Sequence, residues 1–106
     1  MRKADVYVNK VLAGILTEVS PKEYVFRYDD RYMLDASRPA ISLTLGKNIQ
    51  EYRSEILFPF FFNMLPGNHA RNILAVRHNL DAEDYFGILL ATADCDTKGA
   101  VTVKPI

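Results

Sequence analysis

Few of the side chains that could carry out chemistry stand at the spacings that a reactive centre requires. His69 and His78 are nine positions apart, which places them on opposite sides of a helix rather than together at a zinc ion. The single cysteine, Cys95, has no recognisable base beside it, and a thiol without one is not an activated nucleophile. The four serines lie outside the strand-turn-helix context of a nucleophile elbow. We therefore expect neither a metal site nor catalysis.

One acidic segment has part of the pattern of a calcium-binding loop. Asp94, Asp96 and Gly99 match three positions of an EF-hand loop. Lys98 then occupies a position that needs an oxygen ligand, and Pro105 stands where a bidentate glutamate is required. We expect a tight polar turn before a last strand instead. The five glycines are too dispersed to form a phosphate-binding loop, so the sequence predicts no nucleotide or other cofactor.

Length and composition indicate one soluble, globular domain. The 106 residues are 49% apolar and 25% charged, which is typical of a chain with a single buried core. Thirteen basic residues balance thirteen acidic ones, whereas a nucleic-acid-binding protein normally has a basic excess. The longest apolar run, residues 56–65, is too short to span a membrane, and no signal peptide is recognisable. Because a lone cysteine also suits a reducing compartment, we expect a cytoplasmic protein.

The first half of the chain has the alternating pattern of β-strands. Alternating valines precede Asn9-Lys10, and a second strand over residues 11–17 follows, which predicts a hairpin with a two-residue turn. Alternation over residues 41–45 predicts a further strand. Between these two segments, a third strand is predicted from three aromatic residues that share one face: Tyr24, Phe26 and Tyr28.

The second half changes to the helical period. Three helices are predicted, over residues 55–65, over residues 69–79, and after Asp81, with Asp84 in the capping-box position. Because Pro59 is unfavourable inside a helix, a start of the first helix near Phe58 is the alternative to a start at Glu55. The predicted core face of the second helix carries Ala70, Ile73, Leu74 and Leu80. A last strand is predicted over residues 100–104. The predicted fold class is α+β: a small antiparallel sheet from the N-terminal half plus a C-terminal strand, with about three helices packed on one side.

The phenylalanine-rich segment 58–65 is the strongest indication of a partner. It is apolar on nearly every side, whereas a helix packed on a sheet needs an apolar stripe of only about 100°. We expect most of these side chains to belong to the core, Phe61 among them. The surplus is expected to form a contact surface.

Several segments resemble the N-terminal subdomain of HipA-family toxin kinases. The string FFNMLPG at residues 61–67, followed by Arg71, is similar to the FFxNLLPEG…R motif of that subdomain. Residues 84–103 are similar to its DxFxLLxxxGxDxxGAvxv ending, and the string RPAISL at residues 38–43 is similar to its RPLSLSL segment. The opening strand pair with Gly14 also agrees. The resemblance covers essentially the whole chain in the right order, although the glutamate of the first motif is missing.

The resemblance implies a free-standing HipS-like domain over residues 1–106, as in three-gene HipBST toxin–antitoxin systems. Such a domain is a non-catalytic antitoxin that binds and inhibits a HipA- or HipT-like serine/threonine kinase. A HipB-like helix-turn-helix protein joins the complex and alone contacts DNA, and neither a membrane nor a small-molecule substrate is implied. Two alternatives stay open: a split-off subdomain that completes the kinase or bridges it to the HipB-like protein, and an excised piece of a full HipA.

The expected kinase-binding site is the turn that follows the phenylalanine-rich segment. A Pro-Gly turn between two helices projects from a fold, and Met64 and Leu65 supply apolar anchors at its base. Arg71 is placed to pair with a carboxylate or a phosphorylated loop of the partner. The alternative is a plain turn with core anchors and a solvated arginine. The predicted partner-binding residues are Asn63, Met64, Leu65, Pro66, Gly67, Asn68 and Arg71.

Overall fold

The computed structural model describes residues 1–92 and 101–106, in which five strands form one antiparallel sheet and four helices are present. The strands are β1 (Arg2–Val8), β2 (Val11–Ser20), β3 (Glu23–Tyr28), β4 (Glu51–Ser54) and β5 (Val101–Pro105). The helices are α1 (Asp30–Leu34), α2 (Pro59–Phe62), α3 (Asn68–Arg77) and α4 (Tyr85–Ala91). The strand order is β4-β3-β2-β1-β5, so the predicted α+β class is confirmed. The predicted polar turn and Cys95 lie outside the described residues.

The β1–β2 hairpin forms as the sequence predicts. Asn9 and Lys10 have φ angles of 49° and 69°, and two left-handed residues in succession give the turn that matches the twist of the strands. On β3 the predicted aromatic face is also confirmed, because its three aromatic side chains all point to one side of the sheet and are buried. We call this side the inner face.

The helices cover only the inner face of the sheet. Tyr32 of α1, Phe61 of α2 and Phe86 of α4 join the inner side chains of the strands in one buried cluster, and α3 packs on α4. Phe61 is fully buried, with its ring centre 5.7 Å from that of Phe26, which confirms its predicted place in the core. The opposite side of the sheet, the outer face, carries none of the four helices.

Residues 41–45 form a turn rather than the predicted strand. The Tyr28 hydroxyl accepts a hydrogen bond from the Ile41 amide at 3.1 Å and donates one to the Leu45 carbonyl. Ile41 and Leu45 are therefore buried against the same tyrosine, while Leu43 is fully exposed. Burial therefore alternates along this turn as it would along a strand, but the segment does not join the sheet. The strand that pairs with β3 at this edge is β4.

Two helices near the sheet differ from the predicted pattern. Of the two predicted starts of the first helix, the later one is confirmed: Phe58 is the N-cap and Pro59 is the first residue of α2, because proline cannot extend a helix backwards. The helix ends at Phe62 rather than at the predicted Leu65. Helix α1 is not predicted from the sequence. The carboxylate of Asp29 accepts hydrogen bonds from the amides of Arg31 and Tyr32 at 3.2 and 3.4 Å, so this residue caps a helix as well as ending a strand.

Helix α3 turns inward only part of the predicted face, of which Leu74 and Leu80 are half-buried. Ala70 is exposed and Ile73 is 47% exposed, whereas Ala75 is buried and Arg71 is half-buried. The small side chain of Ala75 allows close packing, and the aliphatic part of an arginine side chain can cover apolar surface while its guanidinium stays solvated. A pattern that counts arginine as polar therefore places the buried face partly wrong. Val76 is left 80% exposed on the outside of the helix.

Asp84 rather than Asp81 caps α4, and it also binds the first strand. The Asp84 carboxylate accepts hydrogen bonds from the Gly87 amide at 3.1 Å and from the two Nη atoms of Arg2 at 3.0 and 2.7 Å. The Arg2 guanidinium lowers the pKa of the Asp84 carboxyl below its usual value, and Glu18 accepts from Arg2 Nε at 2.8 Å. Glycine at position 87 leaves the necessary room, since a Cβ there would lie 2.9 Å from Arg2 Nη1.

The substitution Asp84→Asn is expected to lower the free energy of unfolding at neutral pH. It should also make this free energy depend less on pH in the acid range. Because the folded pKa is lowered, the carboxylate stabilises the fold fully above the unfolded pKa of about 3.9, and this contribution is lost as the pH falls through the folded pKa. Both side chains are partly exposed, so we expect a loss of about 1 kcal/mol at pH 7.

Urea unfolding at pH 7 and at about pH 3 measures this difference. The difference in free energy of unfolding between the native protein and Asp84→Asn should be smaller at the lower pH. The substitution Glu55→Gln, which removes an exposed carboxylate, should change this free energy little at either pH. A gap of the same size at both values would mean that the ion pair does not contribute.

Candidate partner-binding site

The predicted partner-binding residues form the connection between α2 and α3. The amides of Met64 and Leu65 donate to the carbonyls of Phe61 and Phe62 at 3.1 and 3.0 Å, which extends α2 by one tight turn. Gly67 then stands at the N-cap of α3 with an extended backbone. Backbone hydrogen bonds to Phe61 and Phe62 thus hold the start of the turn, and Pro66-Gly67 then leads the chain into α3.

Exposure divides the seven predicted residues into a solvent-facing rim and a packed base. The exposed members are Asn63, Gly67 and Asn68. The half-buried members are Met64, Leu65, Pro66 and Arg71. Met64 and Leu65 pack against the core cluster, so each is held from inside while part of its surface faces outwards. The structure brings all seven residues to one side of the molecule, next to the start of α3.

Arg71 lies over aromatic rings instead of extending into solvent. Its guanidinium carbon is 5.5 Å from the ring centre of Phe62 and 5.9 Å from that of Tyr85, and these two rings meet edge to face at 5.1 Å. Arg71 Nη1 also donates to the Pro66 carbonyl at 3.4 Å, and Nη2 donates to Asn68 Oδ1 at 3.5 Å. Within residues 1–92 and 101–106, no carboxylate lies within ion-pair distance of Arg71. The turn therefore holds a positioned cation whose charge is available to an outside anion.

A groove that the sequence analysis does not predict adjoins this cation. Its volume is about 500 Å³, and Phe62 and Tyr85 line it together with Ile56, which is 65% exposed, and Glu83 at the rim. Ile56 opens the apolar run, but the sequence pattern assigns it to a helix, and Pro59 prevents that helix from forming. We call the turn residues, Arg71 and this groove the docking surface.

The outer side of α3 adds a second exposed apolar area beside the turn. Ile73 and Val76, one helical turn apart, form it together with His69. In the part of the chain that the structure describes, no group of three or more His, Cys, Asp or Glu side chains could hold a metal ion. No helix there is long and apolar enough to cross a membrane.

Comparison with known proteins gives one family and one fold. The family model for the HipA N-terminal domain matches residues 4–104. The protein named "Putative kinase Y4dM" of Sinorhizobium fredii (strain NBRC 101917 / NGR234) is 34% identical over 96 residues, which are 85% of this chain and 23% of that protein. This chain therefore spans about a quarter of the length of that relative.

Among solved structures, the N-terminal domain of HipA toxin superposes with a TM-score of 0.74 at 21% identity, and the match covers 100% of this chain and 93% of that one. At this level of identity the likeness concerns the fold.

Proposed function

The chain belongs to the HipA N-terminal domain family, and from this premise we propose that it is a non-catalytic antitoxin that binds and inhibits a HipA- or HipT-like serine/threonine kinase toxin. The HipA N-terminal domain is a non-catalytic subdomain of its parent protein. The proposal treats residues 1–106 as one HipS-like domain that acts in the bacterial cytoplasm. A HipB-like helix-turn-helix protein joins the complex, and DNA is contacted only through it.

The observation that supports this proposal is the docking surface itself. It combines two aromatic rings, a methionine and an arginine, which are residue types enriched at protein–protein interfaces, with exposed aliphatic side chains beside them. Exposed polar residues of the turn surround this centre, as the rim of an interface surrounds its anchors. Contiguous exposed apolar surface of this kind marks a contact site in a folded domain.

The positions of the anchors explain how such a surface would bind tightly enough to inhibit. Met64 and Leu65 are already held against the core, and Arg71 is already held by Phe62 and Tyr85. Side chains that are ordered before binding lose less conformational entropy on association. Arg71 presents its guanidinium to a carboxylate or phosphate of the kinase, where a bidentate pair is strongest.

The second candidate function is a split-off subdomain that completes a kinase. It is favoured by the relative Y4dM, in which the similar segment is 23% of a longer protein that is named a kinase. Both candidates require the chain to bind a kinase, but they predict opposite effects on its activity. A phosphorylation assay therefore distinguishes them, because an antitoxin lowers the activity of the kinase and a completing subdomain raises it.

The substitutions Asn63→Arg and Asn68→Arg, made together, are expected to weaken binding to the kinase at least about tenfold. Both side chains are exposed on the rim of the turn, so the larger charged side chains block the surface without disturbing the core. Binding is measured by calorimetry on the purified kinase, and circular dichroism confirms that the variant is folded. The substitutions Leu65→Asp and Arg71→Glu test the anchors in the same way.

The control is Asn48→Arg, which makes the same type of substitution once, at an exposed asparagine in the connection between α1 and β4, and adds one positive charge where the double variant adds two. It should bind the kinase as the native chain does. If the double variant binds the kinase as tightly as this control does, the kinase-binding site does not include the α2–α3 turn.

A further inference from the structure

The outer face of the sheet has a charge order that the kinase proposal does not use. The strand registers align five residues across all five strands, one from each: Lys104, Asp5, Ile15, Arg27 and Glu51. From β5 to β4 the row reads positive, negative, apolar, positive, negative. Its central member, Ile15, is 38% exposed, although a large aliphatic side chain on an open sheet gains nothing from water.

This order is self-complementary. A two-fold axis that runs parallel to β2, between two copies packed outer face to outer face, places β1 of one copy opposite β3 of the other. Asp5 then faces Arg27 of the second copy, Lys104 faces Glu51, and Ile15 faces its own equivalent. All four charges thus meet an opposite charge around an apolar centre.

The register also excludes the other simple arrangement. A two-fold axis that crosses the strands through this row would place each charge opposite its own copy, and like charges directly opposite each other are destabilising. With the axis along β2, the central part of the neighbouring row is also compatible, because Lys3 faces Val25 and Thr17 faces its own equivalent. Arg53, at the β4 end of that row, lies 3.6 Å from Glu23 of its own chain. Two sheets packed in this way have aligned strands, the common geometry of face-to-face sheets.

Three of the four charges of the row are weakly engaged within one chain and are available to a second copy, whereas Glu51 also accepts a hydrogen bond from Arg53 at 3.3 Å. Arg27 reaches Asp30 and Glu51 only at 3.7 and 3.9 Å, and its side chain is 53% exposed. Among the described residues, neither Asp5 nor Lys104 takes part in an ion pair. Lys104 lies instead near the ring of Tyr7, at 5.7 Å, on the same face.

From this self-complementarity we infer that the chain forms a symmetric dimer through the outer face of its sheet. The five strands are about 19 Å wide at a spacing of about 4.8 Å, so the contact is smaller than the roughly 800 Å² per partner of a standard stable interface. The dimer is therefore weak, with a dissociation constant of about 0.1 mM. It leaves the helices of both copies, and with them both docking surfaces, facing outwards.

The test is sedimentation equilibrium of the purified chain alone, without any kinase, so its result is independent of the proposed antitoxin function. At low ionic strength the mass should rise with concentration towards twice 12.1 kDa, and added salt should weaken the dimer. A chain that stays monomeric at about 1 mM overturns the inference, because about 0.1 mM is the expected constant. A dimer that salt does not weaken overturns the role of the charge row.

Charge reversal identifies the face. Asp5→Arg or Arg27→Asp alone places like charges opposite each other and should raise the dissociation constant about tenfold or more. The double variant should restore it to within about threefold, because the two charges are exchanged together. Within one chain the double variant still sets Arg beside Lys104 and Asp beside Glu51, so relief of strain inside the chain cannot explain a restoration.

The matched control is Asp81→Arg, which reverses an exposed charge before α4 and should leave the constant unchanged. Circular dichroism confirms that every variant is folded. If the double variant binds no better than the single variants, the two-fold axis along β2 is wrong.

Discussion

Replacing Phe61 with alanine is expected to lower the free energy of unfolding by about 3–5 kcal/mol, the largest effect of any single substitution considered. The ring is completely buried and lies between three others, with ring centres 5.7 Å from Phe26, 6.3 Å from Phe58 and 5.2 Å from Phe60. Its removal leaves a cavity where the short helix α2 meets the sheet. Because α2 has only four residues, its position depends on this packing rather than on its own hydrogen bonds.

Thermal unfolding followed by circular dichroism measures this effect as a fall in melting temperature of more than about 10 °C. Phe60→Ala is the matched comparison, because Phe60 belongs to the same helix and is only partly buried, so it should cost less. Leu43→Ala removes a fully exposed side chain and should change nothing. An unchanged melting temperature for Phe61→Ala would overturn the assignment of this residue to the core.

The substitution Gly14→Ala is expected to cost about 3 kcal/mol, although exchanging glycine for alanine in a strand is usually favourable. Gly14 lies on the inner face of β2, where the ring of Phe26 covers its backbone. An added Cβ would lie 2.9 Å from Phe26 Cζ and 3.0 Å from the Tyr28 Cα, and it would clash with the Arg27 carbonyl oxygen. A methyl group at this position must therefore separate β2 from β3.

Gly67→Ala is the control for this prediction. No atom lies within 4 Å of a Cβ added at Gly67, so that substitution should stay within about 1 kcal/mol of the native stability. Chemical denaturation of both variants under the same conditions compares them directly. If Gly14→Ala is as stable as Gly67→Ala, then the packing of Phe26 on β2 is looser than the structure indicates.

Four of the five strands could be predicted from the sequence because their signals are local, whereas β4 is not predicted. Asn9 tolerates the left-handed backbone of a two-residue turn, and the alternating aromatic residues of β3 read directly as one buried face. The segment 41–45 could not be predicted in the same way. Its residues alternate between buried and exposed because the hydroxyl of one distant residue, Tyr28, is hydrogen-bonded to both ends of a turn. The local sequence does not distinguish this turn from a strand.

The candidate site could be predicted only in part, for a related reason. The turn after the phenylalanine-rich segment is visible in the sequence, since Pro66-Gly67 ends one helix before another begins. The groove beside it depends on Tyr85, which is far away in sequence, and on the break that Pro59 makes in the expected helix. The orientation of α3 depends on Arg71 packing as an apolar stem, which a pattern of polar and apolar residues cannot represent.

Inhibition of a HipA-like kinase by this chain is measured most directly as the rate of autophosphorylation of the kinase. The kinase that co-purifies with the chain from its own host is separated from it, and increasing amounts of the chain are then added back. We expect phosphorylation to stop at one chain per kinase, and we expect the Asn63→Arg, Asn68→Arg variant to fail to stop it while the Asn48→Arg control succeeds. If phosphorylation is unchanged or increased once the complex has formed, the chain is not an inhibitor of this kinase.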